Sequence, residues 1–327
     1  MLNYILRRLG YGLLVLAGVN LLTFVLFFTV NTPDDMARLN IGGKRVSQEQ
    51  IDKWKAERGY DKPLYWNAQA DGAAKLTRTI FWERSASLFM LDFGRSDAKQ
   101  SSDIGHEIAT RMAVSLQLAV PIFVLQLIAS TAFALVLVFF RATRIDFWGV
   151  VLCVVMLSIS SLFYIIVGQY LFSRVLRLVP ISGYAGGLDA VKFLVLPVVL
   201  SLLSRLGTEA RLYRAMFLEE IGRDYVRTAR AKGLAETVVL GRHVLRNALI
   251  PIITSAGSYL PYVFLGSLVF ESFFGIPGLG AYVIDAIAGQ DFAIVRSMVF
   301  LGSVLYVLTY LAIDVAYTVV DPRVRLQ

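Results

Sequence analysis

Apolar residues run in long, nearly charge-free stretches separated by polar connectors. Six such stretches lie at about 9–30, 113–140, 147–172, 191–210, 248–270 and 297–319. Each predicts a helix, because an open backbone in lipid would leave its N–H and C=O groups unpaired. The first is followed by Asn31-Thr32-Pro33-Asp34-Asp35. At ~1.5 Å per residue it reaches about 33 Å, enough for a bilayer core of ~30 Å. A secretory signal has a shorter apolar core of ~7–15 residues, so the stretch reads as a retained first span. The fourth is the weakest: it contains Pro197 and runs into Arg205, Glu209, Arg211 and Arg214. It predicts a short span continuing as an exposed helix.

Between the first two spans lies one long segment, residues 31–111, with 13 bases and 12 acids. Trp54, Tyr60, Tyr65, Trp66, Phe81 and Trp82 argue that it is ordered. Ser47, followed by Glu49 and Gln50, predicts a capped helix ending near Arg58. This segment either packs on the membrane core or meets a partner outside.

Composition agrees with the pattern. Of 327 residues, 57% are hydrophobic, and the mean hydropathy is +0.63, whereas soluble domains are roughly 45–50% apolar. The net charge of +8 does not form a basic domain with interleaved aromatics, so no nucleic-acid partner is expected. Many of the bases flank the spans, where they orient helices. Arg7, Arg8, Arg141 and Arg144, the net +4 of residues 205–246, and Arg323 and Arg325 all fall on one side of a six-span topology. That side is predicted to be cytoplasmic, with both termini there. Arg174, Arg177, Lys192 and Arg296 are left to the opposite short loops. The single cysteine, Cys153, sits in an apolar run and reads as packing.

Ion-coupled carriers usually place ionisable groups inside their spans. The first, second, third and fifth stretches contain no Asp, Glu, Lys, Arg or His, and the sixth has only Asp314 near its inner end. His106 and His243 fall in connectors. Small and polar residues do recur, among them Ser158, Ser160, Ser161 and Gln169 in the third span and Ser258, Tyr259, Pro261 and Tyr262 in the fifth. They support either close helix packing or a neutral route for a polar solute, with Ser161, Gln169, Ser258, Tyr259, Pro261 and Tyr262 as candidate lining. Pro261 also marks a point where the fifth helix is free to bend. No phosphate loop is present, since Gly42-Gly43-Lys44-Arg45 lacks its spacing and hydroxyl residue. No zincin, serine-hydrolase or paired-cysteine pattern occurs, so neither a catalytic residue nor a metal site is expected.

The stretch 219–251 carries the most information. Ile221, Tyr225 and Ala229 recur at helical spacing, Gly233 is a natural helix stop, and a second helix is predicted from Glu236 with Val238, Leu245 and Leu249 on one face. Two short helices around a glycine turn, one face apolar and one basic, fit either anionic lipid or a soluble partner. The segment Asp224-Tyr225-Val226-Arg227-Thr228-Ala229-Arg230-Ala231-Lys232-Gly233, with His243-Val244-Leu245-Arg246-Asn247-Ala248-Leu249-Ile250-Pro251, resembles the conserved loop of binding-protein-dependent ABC transporter permeases. It is most similar to their dipeptide, oligopeptide and nickel branch. Arg227, Thr228 and Ala229 stand where the broad motif has Glu-Ala-Ala. Leu21 to Phe24, Gly59 to Pro63, Asp92 to Ser96, Pro180 to Gly183, Glu271 to Gly280 and Asp321 to Arg323 resemble the family in the same order. Asn31-Thr32-Pro33-Asp34 departs from the usual Ala-Pro-Gly-Asp.

The resemblance implies an all-α membrane protein with six transmembrane helices of the type I ABC importer permease kind. Its parts would be an N-terminal helix (1–30), an extracytoplasmic segment (31–111) and a permease core (112–327) with a cytoplasmic coupling loop at 211–247. It implies a non-catalytic subunit of the bacterial inner membrane, paired with a second homologous permease as a heterodimer. Two ATPase subunits holding ATP and Mg would attach beneath, and an extracytoplasmic solute-binding protein would deliver peptides or peptide-like solutes. Asp224, Tyr225, Val226, Arg227, Thr228, Ala229, Arg230, Ala231, Lys232, Gly233 and Leu234 would form the ATPase contact. Tyr225 and Ala229 would supply its buried face, and Arg227, Arg230 and Lys232 would meet acids or carbonyls. The alternatives are an ion-coupled secondary transporter, a membrane scaffold that moves nothing, and an ABC exporter.

Overall fold

Several helices in this chain begin where a side chain takes over the hydrogen bonds that the helix leaves open, at Thr32, Ser47, Ser160 and Ser267. The computed structural model describes residues 2–42 and 46–320. The expected tail charges Arg323 and Arg325, the Asp321 to Arg323 match and Gly43 to Arg45 lie outside the described residues. In chain order, the α-helices of six or more residues are α1 (Leu2–Val30), α2 (Pro33–Ile41), α3 (Gln48–Arg58), α4 (Ile104–Phe139), α5 (Arg144–Ser158), α6 (Ser161–Gly168) and α7 (Ala190–Ile221). They continue as α8 (Asp224–Ala231), α9 (Leu245–Gly257), α10 (Leu260–Leu265), α11 (Leu268–Phe274), α12 (Leu279–Ala288) and α13 (Phe292–Val320). Among the described residues there is no strand, only a lone antiparallel bridge between Arg95 and Asp103. The fold is the expected all-α one.

Four helices are individually long and apolar enough to cross a membrane, and six spans result if two bent pairs each count as one. The third span is one of these. It is not the single expected helix but α5 and α6 joined at 89°. The cause lies in the serines. Ser158 Oγ donates back to the Val154 carbonyl at 2.8 Å, Ile159 is extended, and Ser160 caps α6 by accepting from Phe163 N. Hydroxyls near their own backbone compete with the helix ladder. The fifth span bends by 42°, with Pro261 buried in the first turn of α10. The fourth also departs from expectation. α7 is continuous over 32 residues, and Gly207, Glu209, Ala210, Tyr213, Phe217 and Ile221 on its second half are buried, not exposed.

The chain divides into two compact units. The first takes the chain up to Met112 together with Tyr282–Leu311. On α1, the residues Gly12, Leu16, Asn20, Phe24 and Phe28 are buried at a spacing of four, while Leu13, Leu14, Leu22 and Leu26 are exposed, as suits lipid. Arg7 and Arg8 belong to this helix and do not precede it. Phe24 and Phe28 pack with Met36, Ile51, Trp54, Tyr60 and Ile80 from the segment 31–111. Part of that segment therefore packs on the membrane core, although Tyr65, Trp66 and Trp82 remain exposed. α3 is the expected helix, with a reciprocal cap between Ser47 and Gln50.

A buried polar knot ties this segment to α13. Asp291 accepts from Ser96 Oγ and from the backbone N–H groups of Asp97 (3.2 Å), Ala98 (3.3 Å) and Ile294 (3.3 Å). Asp97 in turn accepts from Tyr60 OH at 2.8 Å and Ala293 N at 3.1 Å. Arg296, expected as a loop charge, is buried in α13 and donates to Tyr60 OH at 3.2 Å. Burial pushes the Tyr60 phenol well above its ordinary range, with the Asp97 charge adding to the effect, so it remains a donor.

The second unit takes Ala113–Ala281 and the chain from Ala312. Its helices meet at small residues. A Cβ on Gly207 of α7 would lie 2.4 Å from the Cys153 carbonyl oxygen of α5, so only glycine permits this approach. Cys153 is buried, as expected. Arg214 of α7 holds Asp146 of α5 with two bonds, at 2.9 and 2.7 Å. Glu271 is fully buried in α11. Its carboxylate accepts from Ser267 N (3.2 Å), Gly280 N (2.6 Å) and Ala281 N (3.2 Å), which closes the loop into α12.

Tyr60→Phe leaves Asp97 without its hydroxyl donor and Arg296 Nη2 without its acceptor, at a cost of about 1–3 kcal/mol. We expect faster limited proteolysis within 31–111, and an unchanged cleavage rate would refute the knot as the tie. Gly207→Ala must displace backbone, at a cost of about 1–3 kcal/mol. It should lower the melting temperature in detergent without preventing insertion; an unshifted melting curve would contradict the close contact.

Candidate functional site

Two features of the second unit carry the functional argument: the connection from α7 to α9, and a cavity. The connection begins where α7 stops. Gly222 N and Arg223 N bond back to the Glu219 and Glu220 carbonyls, and α8 starts at Asp224, whose charge suits a helix N-terminus. Because of this break, Ile221 and Tyr225 are not on one helix, and the buried face of α8 is Val226 and Ala229 rather than Tyr225 and Ala229. Both pack into a core with Ala134, Val138, Tyr213, Phe217 and Ile221. Tyr225 is half-buried at its edge, and its hydroxyl bonds to Glu220. Burial and that bond push the phenol up to about 12.

α8 ends at Ala231, and Gly233 turns the chain at φ 76°, as expected of a left-handed stop. The second helix does begin at Glu236, but residues Val239–Val244 form a π-helical stretch. The wider turn shifts the face, so Val239, Leu240, Val244, Ala248 and Ile252 are buried while Val238 and Leu249 are exposed. Arg230 is taken by Glu236 within this chain, at 2.6 and 3.1 Å, and this bond raises the pKa of its guanidinium. Asp224, Arg227, Thr228 and Ala231 form an exposed stripe that continues through Lys232, Gly233 and Leu234. The hairpin is thus rooted in the core on one side and open on the other.

The cavity has a volume of about 530 Å³. Ser161, Tyr259 and Tyr262 line it, as do Gln126, Ser201, Ser204, Arg205 and Glu209. The other candidate lining residues lie elsewhere. Gln169 donates to the Ile181 and Phe273 carbonyls, Ser258 donates to the Ser255 carbonyl, and Pro261 is buried beside the bend. The expectation of a neutral route does not hold for this cavity. Arg205 Nε lies 3.4 Å from Glu209 Oε1, and the Arg205 guanidinium covers the Tyr259 ring at 4.2 Å. Ser130 connects Glu209 (3.4 Å) to Gln126 (2.9 Å). Sequence reasoning assigned Arg205 and Glu209 to an exposed helix end. Their presence at i and i+4 beside an apolar run was the available signal, since ionisable groups in a span mark functional sites.

Comparison with known proteins bears on both features. Residues 107–326 match the family model for the binding-protein-dependent transport system inner membrane component, and residues 1–86 match the corresponding N-terminal model. A protein of Brucella abortus named for a peptide transport system permease is 33% identical over 326 residues, 98% of each chain. The glutathione transport system permease protein of Escherichia coli is 30% identical over 325 residues, 99% of each chain. These matches give no support to an ion-coupled carrier. The hairpin and the bent spans lie within the region matched by the first model, and on that ground the chain belongs to the binding-protein-dependent ABC transporter permeases, in their peptide and oligopeptide branch.

Proposed function

We propose that this importer permease forms half of a pathway for peptides or peptide-like solutes, and that residues 224–234 seat on an ATPase carried by a separate subunit. The observation that carries the reading is the division of α8 into two sides. Val226 and Ala229 tie it to α7 and to the helix after Gly233, while Asp224, Arg227, Thr228 and Ala231 remain open to a partner. A short helix rooted in this way moves with its spans as one body, so a shift at its open face reaches the cavity side of α7. Relatives named for peptide and glutathione transport support the solute class.

The complete assembly would hold a second homologous permease, two ATPase subunits with ATP and Mg, and a solute-binding protein on the outer face of the bacterial inner membrane. The distribution of bases favours cytoplasmic termini. ATP would change the relative energies of two arrangements, and the hairpin would pass that difference to the spans. The side chains lining the cavity would meet the solute on its way.

Proteoliposomes holding all components should take up a dipeptide only with ATP inside, and ionophores should not abolish the uptake. Uptake that follows an ion gradient without ATP would overturn the reading. Gly233→Val meets no atom within 4 Å of its Cβ, so its effect falls on the left-handed turn alone. We expect at least a tenfold loss of uptake per ATP hydrolysed with normal membrane insertion. Unchanged coupling in this variant would remove residues 224–234 from the proposed role.

A further inference from the structure

One residue lining the cavity carries a buried polar atom that has no partner among the described residues. Gln126 is 4% exposed and its amide nitrogen donates to Ser130 at 2.9 Å, but its Oε1 is buried with no hydrogen-bond partner among the described residues. Buried polar atoms are nearly always paired, and an unpaired one calls for an explanation. Glu209, 6% exposed, is connected to Gln126 through Ser130. The Gln126 Oε1 and the Glu209 carboxylate are both acceptors, so what suits them together is a group with several N–H donors, such as an ammonium.

Arg205 offers the opposite. Its Nε makes one long ion pair with Glu209, at 3.4 Å, and Tyr259 supports the plane of the guanidinium. A planar fork held this way is matched by a carboxylate. Leu118, Ile122, Phe123 and Val263 supply an apolar wall. The volume of about 530 Å³ falls in the ~300–1,000 Å³ range of small-molecule sites.

We propose that this cavity is a solute site for a short peptide with free termini, its carboxylate on Arg205 and its ammonium between Glu209 and Gln126 Oε1. The proposal rests on the importer reading above. A sugar or a fatty chain would leave either the charges or the Gln126 oxygen unmatched. The Arg205–Glu209 contact serves a carrier for a further reason. The peptide replaces an internal ion pair instead of filling an empty charged site, so it binds weakly enough to leave.

The test uses the assembled transporter in nanodiscs without its binding protein, with labelled dialanine as probe and N-acetyl-dialanine and dialanine amide as competitors. The unaltered assembly should prefer dialanine to either blocked form by about tenfold or more. Glu209→Gln should abolish the preference over the N-acetyl form and keep that over the amide, and Arg205→Gln should do the reverse. Gln126→Met, which leaves the ion pair in place, should weaken dialanine about fivefold and the N-acetyl form much less. Equal competition by all three peptides, or variants that weaken all of them by the same factor, would overturn the site. ATP-driven uptake with loaded binding protein, measured on the same variants reconstituted in proteoliposomes, separates the two claims. If the unaltered assembly transports dialanine but shows no preference for free termini, the site alone falls. If it transports no peptide, the functional reading falls and takes the site with it.

Discussion

A backbone polar group at membrane depth has no water to fall back on, and several breaks in this chain are closed by a side chain that answers that constraint. Ser160 caps α6 after the right-angled bend. The Gln169 amide serves two carbonyls, at Ile181 and Phe273. Glu271 collects three N–H groups, two from the start of α12 and one from Ser267, and Asp291 collects three, one from the start of α13 and two from Asp97 and Ala98. A carboxylate is strong in this role, because charge-assisted bonds are roughly twice as strong as neutral ones. The bends that shape the second unit are therefore fixed features with identifiable chemistry.

The same logic explains how the hairpin is held in place. A basic amphipathic segment held only by its charges would slide. Here Val226 and Ala229 enter a core shared with Tyr213 and Phe217 of α7 and with Val244, Ala248 and Ile252 beyond the turn. Arg230 is locked to Glu236 across that turn. The stripe left open runs through Asp224, Arg227, Thr228 and Lys232. On α7, Arg205 and Glu209 line the cavity, and Tyr213 belongs both to the cavity wall and to the core that holds α8. The cavity wall and the core that holds α8 are thus joined through one helix, α7.

The legible parts of the site were those written in local chemistry. The Ser47 cap, the glycine stop at Gly233 and the helix start at Glu236 each depend on residues close in sequence, and each is present. The π-helical stretch at Val239–Val244 was not legible, because an inserted residue per turn leaves no mark in composition, and it moved the buried face by one position. Three of the six candidate lining residues, Ser161, Tyr259 and Tyr262, reach the cavity. Gln169 does not, because the carbonyls that claim its amide come from distant parts of the chain.

By itself, the sequence determined the class of solvent, the helical content, the places where spans are separated and the family. All of these follow from the length and spacing of apolar runs and from short motifs. The tertiary structure alone decided that α7 stays buried beyond Arg205, that Glu209 and Gln126 meet across Ser130, and that Tyr60, Asp97, Asp291 and Arg296 form one knot. The reason is physical: whether a charged or polar side chain faces water or a partner depends on which distant residue reaches it, and spacing along the chain does not encode that distance.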